Sequence, residues 1–143
     1  PSNNLRAIVG RSLLKQAEIK TDFLDNNVSL LTIDRDMAAF FTSGEIFSGI
    51  GLKIKNLMAF EHRWVIENCN GHLGYIPDEK AFLAEEENKK IKEEFPDVSV
   101  FESIGMEASY ETSPISCKLA PEAEQALISQ FQELLRKHTG CLG

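Results

Sequence analysis

The distribution of apolar positions along the chain predicts strands that alternate with helices. Residues 28–33 and 37–41 are short apolar runs rich in branched or aromatic side chains, which is typical of strands, and residues 63–68 predict a third strand. Apolar residues at helical spacing predict a helix over residues 45–55. They also predict a final helix that begins near Pro121, ends near Gly140 and buries Leu127, Phe131, Leu134 and Leu135.

Weaker signals predict the remaining elements. A helix begins at Asn3 or Asn4 and reaches about Lys20, with an apolar stripe formed by Leu5, Ile8, Val9, Leu13 and Ala17. A short helix is predicted over residues 77–82, a charged helix over 85–94, and short strands over 98–101 and 108–112. We therefore expect an α/β fold, with a mixed sheet of four to six short strands and helices packed against it.

The length and charge of the chain narrow these expectations. At 143 residues the chain has the size of a single domain, or of the carboxyl-terminal portion of a larger catalytic domain, in which residues 85–105 form a charged insertion. The net charge of −7 argues against a nucleic-acid partner, because phosphate contacts need clustered Lys and Arg. No apolar run approaches the roughly 20 residues that a membrane-spanning helix needs, and residues 1–20 lack the uninterrupted apolar segment of a signal peptide.

The three cysteines do not form a recognisable framework. Cys69, Cys117 and Cys141 are odd in number and widely spaced, so they make neither a disulfide scaffold nor a CxxC zinc motif. Their spacing favours three reduced thiols over one disulfide with one free thiol.

Three residues are candidates for chemistry. Glu45 follows an apolar strand and a glycine, in a position where a carboxylate can bind zinc, although a Glu in the first turn of a helix can instead stabilise the helix dipole. Tyr75 follows a glycine-rich loop, where a phenol can bind a metal or stabilise an oxyanion, although it can also be a half-buried core residue. His72 lies three residues before Tyr75 and could reach the same site, or could simply be exposed.

Taken in order, the segments that carry these residues resemble the carboxyl-terminal part of the catalytic domain of neutral/alkaline ceramidase-like hydrolases. Gly44-Glu45 is similar to a Pro-Gly-Glu-Phe-like segment whose Glu binds zinc, and residues 70–76 are similar to an Asn-x-Tyr-x-x-Tyr-Val/Ile segment whose second Tyr also binds it. Shorter bacterial relatives share further features, which match Gly74 to Phe82, Tyr110-Glu111 and Pro121 to Glu124. The resemblance covers roughly residues 28–138 without the charged insertion.

The resemblance implies a zinc-dependent amidohydrolase that releases a fatty acid from a sphingoid base, so the expected substrate is a lipid or small-molecule amide. It implies that Glu45 and Tyr75 are zinc ligands, with Tyr75 and His72 in catalytic positions. Two residues depart from the family pattern: Ser43 replaces the usual Pro, and His72 replaces the first Tyr. The family's zinc-binding histidines belong to an amino-terminal half that this chain does not contain.

Because a catalytic zinc normally has three protein ligands, the remaining ligands would have to come from outside this chain. The expected partner is therefore the amino-terminal part of the hydrolase, present in a longer protein or as a separate chain of a split enzyme. The alternative is an inactive fragment or a non-catalytic interaction module. The split enzyme predicts an exposed apolar face on this chain, whereas the interaction module predicts no zinc.

Overall fold

The computed structural model describes residues 24–94, 111–112 and 117–139, and it confirms an α/β fold in these ranges. The described strands are β1 (Val28–Ile33), β2 (Met37–Thr42), β3 (Glu45–Ile46), β4 (His62–Ile66) and β5 (Tyr75–Ile76). The described helices are α1 (Ser48–Leu57), α2 (Glu79–Glu94) and α3 (Ala123–Thr139). The helix predicted over residues 3–20 and the strand predicted over 98–101 lie outside the described residues. Most of the strand predicted over 108–112 does so too, and its last two residues form a turn.

The larger sheet is mixed and has the strand order β1-β2-β4. β1 and β2 form an antiparallel hairpin in which Val28 pairs with Thr42 and Ile33 pairs with Met37. The hairpin turn uses Asp34 in the left-handed region (φ 50°), a conformation that Asp tolerates better than most residues. β4 returns parallel to β2 after the crossover through α1, as a parallel connection requires.

The smaller sheet consists of β3 and β5, which run parallel to each other. The five described strands are therefore divided between two sheets of three and two strands. The smaller sheet begins after a two-residue connection from β2 and pairs chain segments thirty residues apart, so it brings together the segments that carry Glu45 and Tyr75.

The core lies between the larger sheet and the helices α1 and α3. Phe40 of β2 and Phe131 of α3 are fully buried and make an edge-to-face contact, with ring centroids 5.2 Å apart and an interplanar angle of 76°. Around them lie buried apolar residues of both sheets, both helices and the residue that follows α1: Ala38, Ile46, Ile50, Ile54, Met58, Ile76 and Leu127. The predicted stripe of the last helix is confirmed at Leu127 and Phe131, which are buried, whereas Leu134 and Leu135 are partly buried.

Two predicted helix boundaries are wrong. The helix predicted over residues 45–55 begins at Ser48, because the backbone of the preceding residues pairs with β5: the Glu45 N–H donates to Gly74 O and the Phe47 N–H to Ile76 O. The two helices predicted over residues 77–82 and 85–94 are one continuous helix, α2. Leu83 and Ala84, which join them, are strong helix formers and give the chain no reason to break.

One face of the larger sheet does not contact α1 or α3. This outer sheet face carries the side chains that alternate with the core residues: Ser29, Leu31, Ile33, Met37, Ala39, Phe41, His62, Trp64 and Ile66. Leu31, Ile33 and Trp64 are 48%, 52% and 54% exposed, respectively. The outer sheet face is therefore largely apolar, and these three side chains are accessible to solvent, whereas Ala39 between Leu31 and Trp64 is buried at 1% exposure.

Candidate functional site

The smaller sheet places Glu45 beside Tyr75. They are direct partners in the parallel pairing of β3 and β5, and Ile46 is the partner of Ile76. Directly paired residues project from the same face of a sheet, and neighbouring strands lie about 4.8 Å apart. Ile46 and Ile76 turn into the core, with 9% and 2% exposure, whereas Glu45 and Tyr75 remain partly exposed. The two predicted site residues therefore lie together at the edge of the core.

The segment that follows β4, which we call the 67–74 loop, wraps around the connection between β2 and β3. Its backbone donates from Cys69 N–H to Thr42 O (2.9 Å), from Leu73 N–H to Ser43 O (3.2 Å) and from Asn68 N–H to Gly44 O (3.4 Å). These hydrogen bonds fix the path of the loop up to Gly74, directly before Tyr75. The register of Tyr75 against Glu45 follows from this path.

Asn26 supports the same connection from the other side. Its side-chain amide lies within hydrogen-bond distance of Thr42 Oγ1, and its Oδ1 accepts from the Ser43 N–H at 3.1 Å. Thr42 and Ser43 are buried, so these hydrogen bonds satisfy polar groups that water does not reach. The chain before β1 thus helps to hold the backbone from which Glu45 emerges.

The 67–74 loop contains several residues with unusual backbone conformations. Asn68 (φ 55°), Asn70 (φ 59°) and Gly74 (φ 86°) all occupy the left-handed region. Asn and Gly are the residue types that adopt this region at least cost. Such residues concentrate at sites where the backbone path matters for function. The conformation of Asn70 suits a residue that orders a turn.

Two further side chains of the loop reach β3. The Glu67 carboxylate accepts the Ile46 N–H at 2.7 Å, on the side of β3 that does not pair with β5. The Asn68 amide lies 3.5 Å from Glu45 Oε2 and can donate to it. Glu67 therefore fixes the strand next to Glu45, and Asn68 points a donor at the Glu45 carboxylate.

The other interpretation of Glu45, as a helix-dipole residue, is wrong, because the first turn of α1 contains no acidic residue and Glu45 belongs to β3. Tyr75 is partly exposed, which agrees with a site residue and equally with a half-buried core residue. His72 is an exposed residue of the 67–74 loop, three positions before Tyr75.

A zinc ion fits this site in part. The Glu45 carboxylate and the Tyr75 phenol are oxygen donors of the kind that zinc accepts, and they are held side by side. Among the described residues, however, no group of three or more His, Cys, Asp or Glu side chains lies close enough together to hold a metal ion. Within the described ranges the chain therefore offers two donors, which is fewer than the three protein ligands of a catalytic zinc.

Sequence reasoning missed Asn26, Glu67 and Asn68. The hydrogen bonds of Asn26 to residues 42 and 43 join positions that no local pattern connects. Glu67 and Asn68 were read as the end of a strand, whereas β4 ends at Ile66. The Asn-x-Asn-Gly run of residues 68–71 was an available signal, because such residues favour left-handed turns.

A second polar cluster lies where the described helices meet. Glu124 at the start of α3 is 5% exposed and forms an ion pair with Lys53 of α1, while its other oxygen accepts the Glu79 N–H of α2 at 2.8 Å. Burial alone would raise the pKa of the Glu124 carboxyl, but the hydrogen bonds from Lys53 and Glu79 outweigh it and lower this pKa. The same hydrogen bond raises the pKa of Lys53. An open cleft of about 590 Å³ adjoins the ion pair. The charged groups of Lys53 and Glu124 bind each other in this cluster.

Of the described cysteines, Cys69 in the 67–74 loop is a partly exposed free thiol and Cys117 is buried. Cys141 lies outside the described residues. The described helices also include none that is both long and apolar enough to cross a bilayer, which agrees with the expectation from the sequence.

Comparison with known proteins adds no assignment. No protein-family model matches the sequence, no curated protein matches it, and no solved structure matches the fold.

Proposed function

We propose that this chain is part of a zinc-dependent amidohydrolase that resembles neutral ceramidase, and that Glu45 and Tyr75 are its contribution to the metal site. The observation that carries the proposal is the direct parallel pairing of these two residues, which come from segments thirty positions apart. The resemblance selected both residues as zinc ligands from the sequence. Two residues that bind the same metal ion must lie side by side, as Glu45 and Tyr75 do.

The surroundings of the pair support the same function. The 67–74 loop and Asn26 fix the backbone around Glu45 through hydrogen bonds to residues 42–44, and Glu67 fixes Ile46. Ligands held this firmly lose little conformational entropy when a metal binds. Partial exposure of the pair leaves room for ligands from another part of the protein and for a substrate.

Each residue has a defined task in the proposed site. The Glu45 carboxylate is an anionic ligand that Asn68 orients through its amide. The Tyr75 phenol is a second ligand or donates a hydrogen bond to the oxyanion that forms at the amide carbonyl. His72 lines the wall of the pocket. A bound zinc ion would lower the pKa of a water molecule and polarise the carbonyl of the amide substrate.

The site needs protein groups that the described residues do not supply. We propose that they come from the amino-terminal part of the hydrolase, either in a longer protein or on a separate chain. An inactive fragment or a non-catalytic interaction module remains the alternative, and it makes the opposite prediction about zinc.

The test is the zinc content of the protein purified from its native source without tags, with the co-purifying chains identified by mass spectrometry. We expect about one zinc per complex, together with a histidine-bearing amino-terminal segment or chain. Glu45→Gln removes an anionic ligand at nearly constant size, so we expect this variant to lose the zinc and the hydrolysis of amide substrates.

The matched control is Glu86→Gln, which makes the same change at an exposed position of α2. We expect this variant to keep its zinc. A metal-free monomer, or zinc that persists in Glu45→Gln, would remove the active-site assignment. Unchanged behaviour of both Glu45→Ala and Tyr75→Phe in every assay would instead favour the interaction module.

A further inference from the structure

The 67–74 loop contains two asparagines in closely matched settings. Asn68 and Asn70 are both exposed, and both occupy the left-handed region, with φ of 55° and 59°. They differ in the residue that follows, which is Cys69 for Asn68 and Gly71 for Asn70. This difference decides which of the two side chains can react with its own backbone.

An asparagine side chain is open to attack by the backbone nitrogen of the next residue. This nitrogen forms a bond to the side-chain carbon Cγ, the bond from Cγ to Nδ2 breaks, and ammonia leaves with the proton of the attacking amide. Water then opens the five-membered imide ring. Opening at Cγ gives aspartate, whereas opening at the main-chain carbonyl carbon gives isoaspartate, in which the backbone runs through the former side chain. Asparagine is for this reason among the thermolabile residues.

Gly71 offers its backbone nitrogen to Asn70 without steric hindrance. A Cβ atom on the attacking residue crowds the approach of its nitrogen to Cγ, and glycine has no such atom. Asn70 and Gly71 are both exposed, so water reaches the peptide that joins them. Within the described ranges, neither the Asn70 side-chain amide nor the Gly71 N–H makes a hydrogen bond to the protein. Attack at Asn70 therefore breaks none.

Asn68 is held on both sides of the corresponding bond. Its side-chain amide lies 3.5 Å from Glu45 Oε2 and can donate to it. The nitrogen that would attack it belongs to Cys69, whose N–H donates to Thr42 O at 2.9 Å. Cys69 also carries a Cβ atom. Attack at Asn68 therefore requires the loss of a backbone hydrogen bond and a more crowded approach.

We propose that the Asn70-Gly71 pair is a modification site, at which the chain deamidates through a cyclic imide to aspartate and isoaspartate. Water is the only co-reactant, and no oxidation or reduction takes place. The reaction uses no metal ion, so the inference does not depend on the proposed hydrolase. Its product carries a carboxylate in place of a neutral amide, in a loop that already contains Glu67.

The modification site lies between two backbone anchors of the smaller sheet. On either side of it, the N–H groups of Cys69 and Leu73 donate to the connection between β2 and β3. Isoaspartate adds one methylene group to the main chain between these anchors, so the path from Cys69 to Leu73 must change. The hydrogen bond from Glu45 N–H to Gly74 O follows directly after this path. We therefore expect isoaspartate to weaken the pairing of β3 with β5 and to leave β1 and β2 paired.

Peptide mapping tests the modification itself. Trypsin releases both asparagines in one peptide, residues 64–80, because Arg63 and Lys80 are its cleavage sites. The full chain is incubated at mildly alkaline pH, and fragmentation that distinguishes aspartate from isoaspartate locates the change in this peptide. We expect deamidation at Asn70 to be about tenfold or more faster than at Asn68. Equal rates at the two asparagines, or an Asn70 that keeps its amide in the folded chain and loses it in urea, would overturn the proposal.

Asn70→Gly is the matched control. Glycine adopts the left-handed region at little cost and has no side-chain amide, so this variant keeps the loop conformation and cannot react. We expect peptide 64–80 of the variant to deamidate no faster than Asn68 does in the wild type. Deamidation of this peptide at the wild-type rate would place the reaction at Asn68 and overturn the assignment to Asn70.

Site-resolved hydrogen exchange tests the consequence for the smaller sheet. In the isoaspartate form, separated by ion exchange, we expect the amides of Glu45 and Phe47 to exchange about tenfold or more faster than in the unmodified chain. Both amides donate to the segment that carries β5, and those of β2 should keep their rates. Freshly prepared Asn70→Asp adds the charge without the methylene group and should also keep its rates. Unchanged exchange in the isoaspartate form, or equal acceleration in Asn70→Asp or in β2, would overturn the role of the altered backbone.

Discussion

Gly44 is the residue that allows the smaller sheet to form. A Cβ atom at this position would lie 2.5 Å from Cγ1 of Ile76 and closer still to its Cδ1, and 3.5 Å from Gly74 O. Ile76 is itself buried and cannot move aside without disturbing the core. The close approach of Gly44 to β5 therefore helps to set Glu45 beside Tyr75.

We predict that Gly44→Ala lowers the free energy of unfolding by about 1–3 kcal/mol, the usual cost of overpacking. Gly51→Ala in α1 is the control, since the nearest atom to its Cβ would be at 3.8 Å. Here alanine should raise the free energy of unfolding by about 0.5–1 kcal/mol, because it restricts the unfolded chain and favours the helix. Urea denaturation of the two variants measures both effects, and equal shifts would contradict the explanation.

At the scale of elements, Glu124 joins the three described helices. It lies at the start of α3, where a carboxylate favours the helix dipole, binds Lys53 of α1 and accepts the first N–H of α2. Because the folded-state pKa of Glu124 lies below its ordinary value of 4.5, the ionised form stabilises the fold. This contribution is complete above the ordinary pKa and is lost as the pH falls through the lower, folded-state pKa.

We predict that Glu124→Gln lowers the free energy of unfolding by about 1–2 kcal/mol at neutral pH, less than for a fully buried pair because Lys53 remains largely in water. The difference from the wild type should shrink as the pH falls from 4.5 through the lower, folded-state pKa, where the wild-type carboxyl also becomes protonated. Denaturation across pH 3–8 measures this. Glu133→Gln, which removes an exposed carboxylate from α3, should change little, and a pH-independent effect of Glu124→Gln would refute the role of its charge.

The elements differ in how far the sequence predicts them. β1, β2 and α3 follow from local periodicity, because their apolar residues recur at the spacing of the structure they form. β3 and β5 have two residues each and no period, so their pairing depends on contacts thirty positions apart. The local sequence context of Glu45 and Tyr75 made them candidates for chemistry, and the resemblance selected them as zinc ligands. Asn26, Glu67 and Asn68 required the folded backbone, because their partners are distant in sequence.

At the scale of the molecule, the core is closed by the two ends of the described chain. Phe40 belongs to the first hairpin and Phe131 to the last helix, and their contact joins the sheet layer to the helix layer. Both rings are fully buried. The layers therefore depend on a contact that forms only when the whole described chain has folded.

We predict that Phe131→Ala lowers the free energy of unfolding by about 3–5 kcal/mol, because it leaves a cavity between the layers. Leu83→Ala also removes apolar atoms, but Leu83 is 59% exposed on α2, so its effect should stay within about 0.5 kcal/mol. Thermal or urea unfolding of both variants measures the difference. A similar loss in the two variants would show that α3 is not part of the main core.

The pairing of Glu45 with Tyr75 makes the length of the 67–74 loop a determinant of the site. Side chains alternate between the faces of a strand, so a slip of one residue would move Tyr75 to the face that now holds Ile76. Insertions or deletions between Glu67 and Gly74 would then separate the two site residues while leaving β1, β2 and β4 paired. Selection for function can therefore act on the length of the 67–74 loop without changing the stability of the larger sheet.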